Sequence, residues 1–166
     1  MEMQVYIANL GKYTEGELVG AWFTPPIDME DVKERIGLNG NYEEYAVHDY
    51  ELPFEIHEYT SISEINRLCE MVQEIEGAPL YDALSEIQGH WFNSVEEVLE
   101  NQDDIIHYPD CDSMEDVARY LIEESGSLGE VPVHLQNYID YQAYGRDLEI
   151  GANFLVTNHG IFEYVG

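Results

Sequence analysis

Ser61-Ile-Ser-Glu-Ile-Asn-Arg-Leu-Cys-Glu-Met-Val-Gln-Glu-Ile-Glu-Gly77 reads as one amphipathic helix with both ends marked. Ser61 and Glu64 stand three apart, the spacing at which each side chain satisfies a free N–H at a helix start. Ile62, Ile65, Leu68, Cys69, Val72 and Ile75 then recur at helical spacing, and Gly77 is placed to end the run. Beyond it, Pro79 opens a second helix carrying Leu80, Ala83, Leu84 and Ile87, ending at Gly89. Ser94-Val-Glu-Glu97 repeats the capping box ahead of Val98 and Leu99. The middle of the chain is therefore helical, while strands and helices mix on both sides of it. The expected fold is α+β, in three small segments packed in series: an α+β domain at 1–61, a helical domain at 62–103 and an α+β domain at 104–166. A middle of that size can hardly sustain its own core, so each segment should borrow stability from its neighbour.

In the first segment, residues 3–9 read as a strand, with a turn over Gly11 and Thr14-Glu15-Gly16. A second strand runs from Glu17 to Thr24 and stops at Pro25-Pro26. Asp28 caps a short helix with Glu30 and Asp31 in its first turn and Gly37 behind its last, and Glu44 to Leu52 forms a third strand. In the third segment, Ile105 to Tyr108 is a strand and Asp112-Ser113 caps a helix with Val117, Ala118, Leu121 and Ile122. Pro132 opens a helix through Leu135, Tyr138 and Ile139, and Asn158-His159-Gly160 turns a closing hairpin between Asn153–Thr157 and Ile161–Val165. Met-Glu-Asp-Val occurs at 29–32 and at 114–117, both times at a helix start.

Charge is the most unusual property. Among 166 residues there are 35 acids and 6 Lys+Arg, a formal net charge of −29. With 45% hydrophobic residues the chain is too apolar for a disordered acidic tail. The charge is not loaded at one end, because the three segments carry net −10, −9 and −10. Glu70 and Glu74, Asp82 and Glu86, and Glu96 and Glu100 make like-charge pairs at i,i+4, each costing about 0.2–0.5 kcal/mol on a helix. Arg35 with Asp31, and Arg119 with Glu115 or Glu123, give local relief. Duplex DNA carries about one charge per 1.7 Å of axis, so 29 net charges equal those on about 50 Å of duplex. Such a surface repels nucleic acid and anionic lipid and competes for clefts built to bind DNA. A salt-adapted cytoplasm also selects acidic proteins, but it would favour Asp and a small Ala-rich core, whereas here Glu outnumbers Asp 24 to 11.

Sites for chemistry are sparse. His107 and Cys111 are four apart, with too few ligands for zinc. Asp110, Asp112 and Glu115 imitate the start of a calcium loop but place Glu115 where glycine is required. No phosphate-binding glycine loop or nucleophile motif is present. Two cysteines, Cys69 and Cys111, make no disulfide framework, there is no apolar run of membrane-spanning length, and the N-terminus lacks the pattern of a signal peptide. A cytoplasmic protein without cofactor or metal is expected. Tyr138-Ile-Asp-Tyr-Gln-Ala-Tyr-Gly-Arg-Asp147 is the densest polar–aromatic stretch. It fits a structural knot tying Arg146 to a covered acid, or an interaction surface.

Tyr138 to Leu148 resembles the C-terminal signature of the ArdA antirestriction family. The run Val5-Tyr-Ile-Ala-Asn-Leu-Gly-Lys-Tyr-Thr-Glu-Gly-Glu-Leu-Val-Gly20, ending in Trp22, resembles that family's opening. Glu123-Glu-Ser-Gly126 with Val131-Pro132 resembles its antirestriction motif. The resemblance implies a homodimeric, elongated, curved DNA mimic without catalytic activity. It further implies binding to the DNA-binding groove of type I restriction–modification enzymes, on their specificity and modification subunits, to the benefit of an incoming conjugative mobile element. The carboxylates expected to carry the mimicry include Glu30, Asp31 and Glu34 in the first segment. In the middle they include Glu70, Glu74, Asp82, Glu86, Glu96, Glu97, Glu100 and Asp103. In the third they include Asp112, Glu115, Asp116, Glu123 and Glu124. Two bodies of this charge should meet where acids are fewest: Ser125, Gly126, Leu128, Val131 and Val133, with Glu130 alone among them. Leu128 and Val131 could equally cover the protein's own core. The competing function classes are an acidic binder of other basic DNA-binding proteins and a salt-adapted acidic enzyme.

Overall fold

A computed structural model describes residues 2–126, 129–151 and 153–166. The first segment is a three-stranded antiparallel sheet of β1 (Gln4–Asn9), β2 (Gly20–Phe23) and β3 (Tyr45–Glu51), with β1 in the centre. Between β1 and β2 the chain forms a five-residue helix, α1 (Leu10–Thr14), where the sequence had indicated only a turn. Asn9 explains it. Its buried side chain accepts from the Lys12 N–H at 3.1 Å and donates to the Ile36 carbonyl at 3.0 Å, so one residue caps α1 and anchors it to the end of the next helix. That helix, α2 (Met29–Ile36), has the expected Asp28 cap and ends at Gly37, whose φ of 73° is the left-handed conformation glycine adopts freely.

In the middle segment, α3 (Ile62–Gln73) begins as read, with the Glu64 N–H donating to the Ser61 hydroxyl at 3.2 Å. The next helix is not continuous. It divides into α4 (Pro79–Asp82) and α5 (Leu84–Trp91), and Ala83, with ψ of 10°, sits at the joint. Asp82 and Glu86 therefore stand on different helices, and the i,i+4 repulsion expected of them within one helix does not apply. The helix also runs past Gly89 to Trp91. After it comes α6 (Val95–Glu100), capped by Ser94 through the Glu97 N–H.

The third segment pairs β4 (Ile105–Tyr108), β5 (Phe154–Thr157) and β6 (Gly160–Tyr164) in the order β4-β6-β5, all antiparallel. Ser113 caps α7 (Met114–Glu123), so the repeated Met-Glu-Asp-Val stands at the start of both α2 and α7. The helix expected from Pro132 to Ile139 shrinks to α8 (Val133–Gln136). The polar–aromatic stretch forms a helix of its own, α9 (Tyr141–Ile150), capped by Asp140. Arg146 is exposed on α9, and no ion pair involves it among the described residues. It is not the knot that the sequence had indicated.

Two apolar cores result. One joins Val5, Ile7 and Phe23 of the first sheet to Ile65, Val72, Leu84, Ile87 and Val98 of the middle helices, and reaches Phe162 of β6. The other holds Tyr108, Cys111, Met114, Val117, Phe154 and Ile161 between the second sheet and α7. Neighbouring residues of a strand point to opposite faces, so Phe162 serves one core and Ile161 the other. Polar ties reinforce the junction between the first segment and the middle. The Asn66 amide exchanges two hydrogen bonds with the Ile27 backbone, at 2.6 and 2.8 Å, and the Tyr45 hydroxyl accepts from the Ile62 N–H.

Candidate functional site

The chain's charge is entirely peripheral. Among the described residues the buried polar side chains are Asn9 and Gln88, and no carboxylate is among them. Helix starts account for much of the placement: Glu30 and Asp31, Glu64, Asp82, Glu86, Glu96 and Glu97, and Glu115 and Asp116 all lie in first turns. There the positive end of the helix dipole favours a negative charge. The carboxylates singled out from sequence fall on every segment. Glu34 joins Glu30 and Asp31 on α2, and Glu70 lies on α3 with Glu74 as its C-cap. Glu100 is on α6, Asp103 in the 3-10 turn Gln102–Asp104, and Asp112 just before α7. Glu123 is on α7 and Glu124 caps its end. All sit at the surface, with Glu96, Glu97 and Asp116 half-buried.

They are not equivalent. Lys33 pairs with Glu30 at 3.3 Å, Arg35 with Asp31 at 3.6 Å, and Arg119 with Glu115 at 3.9 Å and Glu123 at 3.4 Å. Arg67 bridges Glu64 of α3 and Glu96 of α6, reaching Glu96 at 2.8 Å. Hydrogen bonding to Arg67 holds the Glu96 carboxyl below the usual carboxylate range. Arg67 and Glu96 are 29 residues apart, so no local pattern in the sequence announces their bond. Glu97 and Asp116 accept from backbone N–H groups, of Asn93 at 3.1 Å and Asp112 at 3.0 Å, and act as structural acceptors as well as charges.

Tyrosine supplies the donors that the scarce bases do not. Tyr42 donates to Glu15 at 2.9 Å, Tyr50 to Glu55 at 2.5 Å, Tyr108 to Glu163 at 2.6 Å and Tyr141 to Glu123 at 2.7 Å. The phenols pay in acidity. The bond to Glu15 raises the pKa of Tyr42, while burial first and the neighbouring carboxylate second raise those of Tyr50, Tyr108 and Tyr141. The sequence carried one signal of this, 13 tyrosines beside 6 bases, but not the pairings.

Among the described residues no group of three or more His, Cys, Asp or Glu could hold a metal ion. His107 packs its ring against Phe162, and Cys111 is a buried free thiol. Burial pushes the Cys69 thiol up to about 11, well away from a reactive thiolate. No helix among the described residues is long and apolar enough to cross a membrane.

The stretch singled out for dimerisation follows α7. The Ser125 hydroxyl donates to the Leu121 carbonyl, and Gly126 takes a left-handed φ of 68°. Leu128 lies outside the described residues. Val131 is half-buried, and Val133, on α8, is 78% exposed, with Leu135 and Tyr138 exposed beyond it.

No curated protein matches the chain. The antirestriction protein (ArdA) family does, over residues 5–163. That span runs from β1 to β6 and takes in the whole helical middle. The chain belongs to the ArdA family of antirestriction proteins.

Proposed function

We propose that this protein is a DNA mimic that occupies the DNA-binding groove of type I restriction–modification enzymes, on their specificity and modification subunits, and inhibits them without catalysis. The observation that carries this reading is the distribution of charge: 35 acids, none of them buried, over three segments of nearly equal net charge, with few bases to offset them. Spread in this way, the charge presents a groove lined with Lys and Arg with a counterpart of the phosphate array. In this reading residues 1–61, 62–103 and 104–166 form the three units of an elongated, curved body that acts in the cytoplasm on behalf of a conjugative element. Two copies joined through the stretch of Ser125, Gly126, Leu128, Val131 and Val133 would double the length of about 50 Å of duplex equivalent and suit a target that reads a two-part site.

The test is displacement of a DNA duplex from a purified type I methyltransferase by increasing amounts of this protein. Near-stoichiometric displacement is expected, weakening between about 50 and about 200 mM salt. The slope should be shallower than that of DNA, because carboxylates on a folded surface condense fewer counterions than a duplex. Glu70→Gln should leave displacement within about 1 kcal/mol of wild type, as for a single exposed charge. Failure to displace the duplex, or binding indifferent to salt, would overturn the proposal.

A further inference from the structure

The face of the first sheet that points away from the core carries an aromatic pair with an acid beside it. Val5, Ile7 and Phe23 are buried on the inner face. Tyr6 and Trp22 alternate with them, so they stand on the outer face, directly opposite each other in the β1–β2 register. Their rings meet edge to face, with centroids 5.5 Å apart, and Trp22 remains 37% exposed. Gly20 makes the arrangement possible: a Cβ there would lie 2.8 Å from Cε1 and Cζ of the Tyr6 ring, so only glycine lets that ring lie across β2. On the other side of β1, Tyr6 is opposite Asp49 of β3. One level of the sheet thus reads Trp22, Tyr6, Asp49 across three strands.

The protein's own arginines show what such a set accepts. Arg35 lies over the Phe23 ring, 4.4 Å from its centroid, while pairing with Asp31. Arg119 lies over the Tyr141 ring at 4.2 Å while pairing with Glu115 and Glu123. In both, a guanidinium sits over a ring while its nitrogens pair with a carboxylate. At the Trp22–Tyr6–Asp49 level the ring and the carboxylate are present and no base of the same segment supplies the guanidinium. Lys12 sits over Tyr42, Lys33 pairs with Glu30, and Arg35 is held on Phe23 and Asp31.

We infer that this level is a docking platform for an arginine of the target enzyme's DNA-binding groove, which stacks on Trp22 and pairs with Asp49. The inference rests on the proposed function for the identity of the partner. It adds a shape-specific anchor to an otherwise distributed charge field. An exposed tryptophan on a rigid sheet loses little conformational freedom on binding, which is why such residues concentrate binding energy.

The experiment is the duplex-displacement titration with three variants. Trp22→Leu keeps an apolar side chain but removes the stacking face, and should weaken displacement about ten-fold. Trp22→Phe should recover most of that loss, and Asp49→Asn should be weaker by several-fold in wild type but nearly silent in the Trp22→Leu background. A second readout uses Trp91→Phe, which leaves Trp22 the sole tryptophan: saturation with the methyltransferase should shift its emission and shield it from acrylamide. If wild type displaces the duplex and Trp22→Leu does so equally well, the platform is overturned while the mimic stands. If wild type fails to displace it, the mimic itself fails. If Trp22→Leu does not fold, the emission experiment decides, and an unshifted, unshielded Trp22 in the saturated complex refutes the inference.

Discussion

Phe162→Ala is expected to destabilise far more than one segment. Phe162 is 1% exposed and belongs to a core whose other buried residues come from the first and middle segments, although its own strand lies in the third. A buried phenylalanine removes roughly 150–250 Å² from water. At about 25 cal/mol per Å² that is about 4–6 kcal/mol for the whole side chain. Alanine retains the Cβ share of this, and a partly relaxed cavity adds to the cost, which puts the expected loss at about 3–5 kcal/mol. Against a total stability on the order of 5–15 kcal/mol, the change is severe. In a Trp22→Phe background, which leaves Trp91 the sole tryptophan, urea unfolding followed both by far-ultraviolet circular dichroism and by tryptophan emission measures it, because Trp91 packs against Tyr164 of the same strand, with ring centroids 5.8 Å apart. The two probes should move together to a lower midpoint with little change of slope. A loss below about 1 kcal/mol, or a Trp91 transition that separates from an unmoved bulk transition, would refute the claim that Phe162 locks the second sheet onto a shared core.

Gly145→Ala should also destabilise, by about 1–3 kcal/mol from overpacking, because its Cβ would lie 2.5 Å from the Met114 carbonyl oxygen where α9 crosses α7. An exposed helical glycine would instead gain about 1 kcal/mol from the same change, so a raised melting temperature would refute the packing argument. Stability should fall as pH rises above about 10, since the folded-state pKa values of Tyr50, Tyr81, Tyr108 and Tyr141 are raised from 10.0. Their contribution is complete below the unfolded value and disappears as the phenols ionise. Tyr108→Phe should flatten the alkaline limb of a plot of melting temperature against pH. Wild type should sediment as the proposed dimer, and Val133→Asp, at a position 78% exposed, should leave the fold intact and sediment as a monomer; a monomeric wild type or an undisturbed dimer would refute the proposed joint.

What could be read in the sequence was local. Asp28, Ser61, Ser94 and Ser113 announce their helices because a cap acts within three residues of itself. The closing hairpin around Asn158-His159 is equally self-contained. Helix α1 escaped because its cap, Asn9, ends a strand and is held by the end of α2, 27 residues on. The break at Ala83 escaped because the apolar spacing continues through it while the backbone does not. Helix α9 was obscured by Tyr141, Tyr144 and the central Gly145, and packing on α7 overrides its weak local preference. In the candidate site, the positions of the carboxylates were legible, but their inequality was not. Glu96 and Glu100 look alike in sequence, yet an arginine 29 residues from Glu96 neutralises one of the two.

The tyrosine–carboxylate bonds have a consequence for how a fixed acidic surface is built at all. A lysine or arginine that orients a carboxylate also cancels it, so a body held together by ion pairs loses its field in the course of acquiring its shape. A phenol hydroxyl orients the carboxylate and stays neutral. Glu15, Glu55 and Glu163 are each aimed by a tyrosine, a donor that brings no opposing charge. Side chains immobilised in this way have already lost their rotational freedom before a basic partner arrives, so less entropy is lost on contact. The abundance of tyrosine and the poverty of lysine are then one design choice: rigidity obtained from donors that carry no charge.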